Sequence, residues 1–229
     1  MNINAVASSP VKLPVSVPVP NKVEQEVKAT AVKPERILTG AEKFAKEFYT
    51  KEEEPWNGQT SYGFDTESGK YQKIPMTRQE WIINQYAQAE DDLENVNETF
   101  EKFMKELHFL DPDLAVKNWS YTLDGEAQIK VLDPKGNLND AEVERLTKAM
   151  NSFKDFTASV QSHAKTIMSI VDHDTEKFGG KYELSLLNFQ QVIDYGTMSY
   201  RKKDPNEDWV RQVAENAEKR ESSLIDLIA

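Results

Sequence analysis

The chain of 229 residues contains no cysteine and only three histidines. The absence of cysteine excludes disulfide frameworks, thiolate zinc sites, iron–sulfur clusters and cysteine nucleophiles. The sequence also contains no Gly-x-Ser-x-Gly motif, no His-Glu-x-x-His motif and no glycine-rich phosphate loop ending in Lys-Ser/Thr. It therefore offers no catalytic constellation, predicts no cofactor, and favours a protein that is not an enzyme.

Basic residues are the minority charge. The 28 Lys and Arg residues face 39 Asp and Glu residues, which gives a net charge of −11 and a pI near 4.9. Residues 35–229 alone hold 24 basic and 37 acidic groups, a net charge of −13. Because an acidic surface does not attract nucleic acid, we expect no nucleic-acid partner. No window of 18 apolar residues occurs, so the sequence predicts a soluble protein without a membrane span.

The first 34 residues have no glycine and no aromatic residue, but they hold five of the ten prolines and eight valines. Valine and proline alternate over residues 11–20, and proline both fixes its own φ and keeps the preceding residue extended. This composition favours polyproline II or disorder. The sequence therefore predicts a disordered Val/Pro-rich arm over residues 1–35 and a single α-rich domain over residues 36–229.

The first eleven residues are uncharged and rich in Asn, Ser, Ala and Val. This composition resembles the unfolded leaders of proteins exported by bacterial type III machines, and a flexible linker is the alternative. A Sec signal peptide is not expected, because no uninterrupted apolar stretch of seven residues follows an early positive charge. We expect a cytoplasmic protein or one exported by a non-Sec route.

Helix starts are marked by capping boxes, in which a side chain and a glutamate three residues later bond each other's backbone N–H groups. Such boxes begin at Thr39, Thr77 and Asn139. A fourth start is predicted at Asp204, where a proline and a glutamate follow in the order typical of a first turn. A short helix is also expected over residues 185–195.

Two long apolar stripes dominate the rest of the sequence. The first runs from Ile82 to Leu107 with spacings of three and four, and the second runs in the same way from Val143 to Val171. Between them an Asp-Gly turn at residues 124–125 joins two alternating segments, which indicates a β-hairpin. The prediction is a mainly helical α+β fold: two long amphipathic helices joined by a β-hairpin, plus three shorter helices.

Residues 55–75 are aromatic and rich in turn signals, which indicates a second hairpin. Trp56, Tyr62, Phe64 and Tyr71 lie among Asn-Gly and Ser-Gly pairs. Long loops with such content are packed flaps or binding surfaces. These four residues are the predicted partner-binding residues.

Asp172, His173 and Asp174 form the densest group of metal-ligand types. Carboxylates near a helix C-terminus oppose the helix dipole, so a bound cation or a nearby lysine such as Lys177 would explain them. The spacing fixes no ligand geometry, so we predict no metal site and keep these three residues as weak candidates. His163 lies beside the second stripe and is predicted to be a hydrogen-bonded core residue.

These observations leave three hypotheses for the function. The first is a non-enzymatic helical protein–protein interaction module with a protein partner. The second is a type III-exported bacterial effector or secretion-associated protein. The third is a divergent enzyme with a site near Asp172, His173 and Asp174. The oligomeric state is open, because either stripe could be buried within the chain or across a dimer.

Overall fold

The computed structural model describes residues 37–198 and 201–217. The predicted arm over residues 1–35 and the apolar positions after residue 217 lie outside the described residues. The described part contains seven α-helices, one 3₁₀ helix (Tyr195–Thr197) and two hairpins, which confirms the mainly helical α+β fold. The elements are α1 Gly40–Phe48, β1 Thr60–Asp65, β2 Lys70–Pro75, α2 Arg78–Leu110, α3 Pro112–Ala115, β3 Ser120–Leu123, β4 Ile129–Leu132, α4 Asp140–Ser152, α5 Lys154–His173, α6 Phe189–Val192 and α7 Glu207–Asn216.

The three capping boxes are confirmed. The side chains of Thr39, Thr77 and Asn139 each accept a hydrogen bond from the backbone N–H three residues later, at 3.2, 3.2 and 3.0 Å. The glutamate at that position accepts the N–H of the capping residue in return. Local chemistry therefore sets where α1, α2 and α4 begin.

The axis of the fold is α2, whose 33 residues extend about 50 Å. It runs antiparallel to α5, because Thr99 late in α2 contacts Ser159 early in α5 (2.8 Å), whereas Asp92 accepts a hydrogen bond from Thr166 further along α5 (2.6 Å). The apolar stripe of α2 enters the core with that of α5. The most buried members of the two stripes are Ala89, Leu93, Val96, Phe103 and Leu107 from α2, and Phe156, Val160, Ala164, Ile167 and Ile170 from α5.

The second long helix is not continuous, which corrects the prediction drawn from its stripe. It is broken at Phe153, where φ is −84° and ψ is 85°, so α4 and α5 are separate helices. The Ser152 hydroxyl donates to the Ala149 carbonyl at 2.7 Å, the kind of side-chain bond that competes with helical backbone bonding. The helix also ends at His173 and does not continue to the glycines at 179–180.

The β3–β4 hairpin between α3 and α4 is confirmed, and it is buried against the core. Leu123 pairs with Ile129 across the two strands. The Asn151 side chain bonds the outer edge of β4: its Oδ1 accepts from the Ile129 N–H at 2.8 Å, and its Nδ2 donates to the Ile129 carbonyl at 2.7 Å. The Asn151 amide thus takes the place that a neighbouring strand would occupy.

The shorter helices differ in extent from their predictions. The helix expected over residues 185–195 is the single turn α6, followed by the 3₁₀ helix. The helix expected at Asp204 begins at Glu207, because Asp204 accepts the Asn206 N–H at 3.0 Å and the residues between form a turn. The break at Phe153 and the single turn α3, which was not predicted, give seven described α-helices where five helices were predicted.

Candidate functional site

The aromatic segment forms the β1–β2 hairpin. Its turn is held by Asp65, whose carboxylate accepts the Ser68 hydroxyl at 2.7 Å and the Glu67 N–H at 2.9 Å. These hydrogen bonds lower the pKa of Asp65, and the bond from Ser68 has the largest effect. Asp65 therefore carries a negative charge at neutral pH. Gly69 adopts a φ of 65°, which glycine tolerates better than other residues. The Ser-Gly turn signal in the sequence is therefore confirmed.

One face of this hairpin carries three aromatic side chains, and we call it the aromatic face. Alternation along β1 places Tyr62 and Phe64 on the same side, and the register sets Phe64 opposite Tyr71. The Phe64 and Tyr71 rings meet edge to face at 5.2 Å. Tyr62, Phe64 and Tyr71 are 68%, 56% and 72% exposed. Together they present roughly 300 to 500 Å² of ring surface, the size of patch that is often functional.

The hairpin is attached to the domain at its base. The Ser61 hydroxyl donates to Glu80 of α2 at 3.1 Å, and the Met76 N–H donates to the Gln59 carbonyl at 3.0 Å. Beyond this base, β1 and β2 pack mainly on each other. The aromatic face consequently points to solvent and does not cover the core.

Trp56 does not lie on the aromatic face. It is half-buried, with its ring 5.9 Å from that of Trp81 in α2 and 6.0 Å from that of His173 in α5. The Arg78 guanidinium lies 5.8 Å above the Trp56 ring. The structure therefore brings three of the four predicted partner-binding residues together and uses the fourth as an anchor for the segment that leads into β1.

The two carboxylates of the Asp172–Asp174 group face different tyrosines. Asp172 accepts the Tyr49 hydroxyl at 3.0 Å, and Asp174 accepts the Tyr86 hydroxyl at 2.8 Å. Burial, followed by the Asp174 hydrogen bond, raises the pKa of Tyr86. Asp174 also accepts the Lys177 N–H at 3.0 Å. These bonds tie the end of α5 to the segment after α1 and to α2.

His173 is held between two backbone carbonyls. Its Nδ1 is 2.7 Å from the Ser169 oxygen, and its Nε2 is 2.6 Å from the Glu52 oxygen. Both ring nitrogens of His173 therefore face backbone oxygens of the protein. In residues 37–198 and 201–217, no group of three or more His, Asp or Glu side chains is arranged to hold a metal ion.

His173 and Asp174, two residues of the divergent-enzyme hypothesis, line different cavities. His173 lines a cavity of about 260 Å³ together with Tyr49 and Glu52. Asp174 lines a different cavity of about 250 Å³ with Arg78. The geometry gives these side chains a role in joining α1, α2 and α5.

His163 lies in the core, as its position in the sequence predicts. It is fully buried, and its Nδ1 is 3.0 Å from the hydroxyl of Tyr195. Burial raises the pKa of this tyrosine. Burial lowers the pKa of His163 to about 3, so the imidazole is neutral at physiological pH. Its Nε2 has no hydrogen-bond partner in the part of the chain that the structure describes.

A second exposed apolar region, at the C-terminal end of α2, was not predicted from the sequence. Phe109, Leu110 and Val116 are 86%, 68% and 76% exposed. Leu110 also lines a cavity of about 420 Å³ at the junction of α2, α3 and α4. Phe109 and Val116 are near Leu110 in the sequence. The available signal was that Phe109 and Leu110 follow Leu107, the last residue of the apolar stripe.

A fold by itself does not define a function. Among residues 37–198 and 201–217, no helix is both long and apolar enough to cross a bilayer. In comparisons with known proteins, no protein family, no curated protein and no solved structure matches this chain.

Proposed function

We propose that this protein is a non-enzymatic helical protein–protein interaction module, and that the aromatic face of the β1–β2 hairpin is its binding surface. The observation that carries the proposal is the exposure of Tyr62, Phe64 and Tyr71 on one side of a projecting hairpin. Aromatic side chains are enriched where proteins bind each other and often supply most of the binding energy.

The energetics support a partner for this face. Burial of roughly 400 Å² of ring surface gains about 10 kcal/mol before the costs of association are subtracted. A two-stranded hairpin alone is marginally stable in water, so additional packing on β1 and β2 would also stabilise it. Trp56 and the bond between Ser61 and Glu80 hold the base of the hairpin in place. Less conformational entropy is therefore lost when a partner binds.

The proposal is tested by affinity capture from the native source with the full chain. We expect the wild type to retain a defined partner that is lost when Tyr62, Phe64 and Tyr71 are all replaced by serine. The matched control replaces Phe109 and Val116 by serine, which removes exposed apolar surface at the other end of α2. Equal recovery of every captured protein by the wild type and the triple variant would contradict the proposal.

Export by a type III machine is a separate proposal, supported by the composition of the first eleven residues. These residues lie outside the described part of the chain. Fusion of residues 1–34 to a reporter in a bacterium with an active type III system is expected to give secretion that stops when the system is deleted. A reporter that stays inside the cell would refute this proposal.

A further inference from the structure

The alternation of backbone hydrogen bonds shows which groups of β1 point away from β2. In an antiparallel pair, residues that exchange hydrogen bonds alternate with residues that do not. The Met76 N–H donates to the carbonyl of Gln59, the residue it faces, so these two form a hydrogen-bonded pair. Tyr62 lies three residues further along β1, an odd number of steps, and so falls in the other kind of pair. Tyr62 and Phe64 therefore belong to the pairs without mutual bonds, and their N–H and C=O groups point outward. Within residues 37–198 and 201–217, Tyr62 and Phe64 thus present both exposed rings and unpaired backbone groups.

The outer edge of β1 is open to an added strand, whereas that of β2 is protected. In the described part of the chain, β1 pairs with β2 and with no other strand. The sequence of β2 contains Lys70, Lys73 and Pro75, and lysine and proline are the residues that proteins use to discourage pairing at sheet edges. The sequence of β1 contains neither.

The stretch of chain that leads into and forms β1 is acidic, whereas the lysines of the hairpin, Lys70 and Lys73, lie on β2. Residues 52–69 contain five acidic residues and no basic residue. The exposed glutamates at 52–54 precede the turn that leads into β1, and Asp65 ends the strand. Asp65 lies on the face opposite the rings, and Ser61 on that same face bonds Glu80. Charge complementarity therefore favours a basic partner segment.

We infer that the free edge of β1 binds an extended basic segment of a protein partner as an added strand. In that segment, lysine or arginine alternates with apolar residues. The apolar side chains lie beside Tyr62 and Phe64 on the aromatic face, and the basic side chains lie on the face of Asp65 and Glu80. This inference rests on the proposed function and specifies the kind of partner that the aromatic face accepts.

The first test uses a synthetic probe with the full chain. A short fluorescein-labelled peptide that alternates lysine and valine is expected to bind, as measured by fluorescence anisotropy. Two control peptides are expected to bind much more weakly: one with glutamate in place of lysine, and one with alternate backbone amides methylated. Failure of the lysine peptide to bind at millimolar concentration, or equal binding by either control, would overturn the inference.

The second test separates the backbone of β1 from its side chains. Tyr62→Ala removes a ring, and Tyr62→Pro removes the same ring and the outward N–H. The proline variant should bind the lysine peptide about threefold to tenfold more weakly than the alanine variant, as expected for one lost hydrogen bond. Lys73 lies directly opposite on β2, so Lys73→Pro and Lys73→Ala should bind alike. Equal affinities for the two Tyr62 variants would rule out strand addition.

Hydrogen exchange in the wild type provides a readout that does not depend on how the variants fold. The peptide is expected to slow exchange of the outward amides of Tyr62 and Phe64 and to leave those of Tyr71 and Lys73 unchanged. Protection of the β2 amides instead would refute the choice of edge. If strand addition fails while the triple serine variant still loses its partner, the interaction module stands and the binding mode is wrong.

Discussion

Replacement of His163 should change how the stability of the protein depends on pH. The folded protein keeps this fully buried imidazole neutral, because burial lowers its pKa to about 3. In the unfolded chain the pKa of a histidine is about 6.5. Below pH 6.5 the unfolded chain therefore binds a proton that the folded protein rejects. The stability associated with neutral His163 is fully present above pH 6.5 and is lost as the pH falls towards 3.

The size of the effect follows from proton linkage. Between pH 8 and pH 5, protonation of the unfolded chain at this residue lowers the free energy of unfolding by about 2 kcal/mol. This figure depends almost entirely on the unfolded pKa, since a folded pKa of 3 leaves the buried ring unprotonated at pH 5. Below pH 3 the loss approaches a limit of about 5 kcal/mol.

Urea unfolding at pH 8 and pH 5 measures this difference. The wild type should lose about 2 kcal/mol more between the two pH values than His163→Gln, whose amide can still bond the Tyr195 hydroxyl. Met168 is also fully buried in α5 but does not titrate, so Met168→Leu controls for a general loss of stability and should match the wild-type pH difference. Equal pH differences for the wild type and His163→Gln would refute the assignment of a buried neutral imidazole.

Three further substitutions test local features by chemical denaturation. Thr77→Ala should lower the free energy of unfolding by about 1 kcal/mol because the α2 cap is lost, whereas Thr77→Ser, which keeps a hydroxyl, should retain most of the wild-type stability. Equal losses of stability in the two variants would contradict the capping role. Asn151→Ala leaves the Ile129 N–H and C=O without their partner and should cost about 1 to 3 kcal/mol, so a change near zero would count against it. Gly196→Ala places a Cβ 2.2 Å from that of Ser120 and should lower the free energy of unfolding by about 1 to 3 kcal/mol. The double variant with Ser120→Gly should regain part of this loss, and effects of the two substitutions that simply add would refute the contact.

The parts of the fold that could be predicted from the sequence are those set by neighbouring residues. The capping boxes at Thr39, Thr77 and Asn139 and the Asp-Gly turn act within a few positions, and the structure contains all of them. The break at Phe153 could not be predicted, because the stripe keeps its spacing of three and four through this residue. Next to the break, Asn151 bonds Ile129, which is 22 residues away, and periodicity does not reveal such a contact.

The candidate site shows the same division. The aromatic content of residues 55–75 was enough to select Tyr62, Phe64 and Tyr71, because two-residue alternation places side chains on common faces. The role of Trp56 depends on Trp81 and on His173, which belong to two other elements. No pattern within residues 55–75 could show that this ring is an anchor.

The Asn151 side chain also closes part of a strand edge that could otherwise pair with another chain. A strand edge is a template for any chain with free backbone groups, including other copies of the same protein. On β4 the Asn151 amide bonds both the N–H and the C=O of Ile129, so an incoming strand finds neither group available at that residue. Intermolecular strand pairing through Ile129 of β4 is thereby blocked. At this residue an internal side-chain amide protects the strand edge, whereas β2 carries lysine and proline.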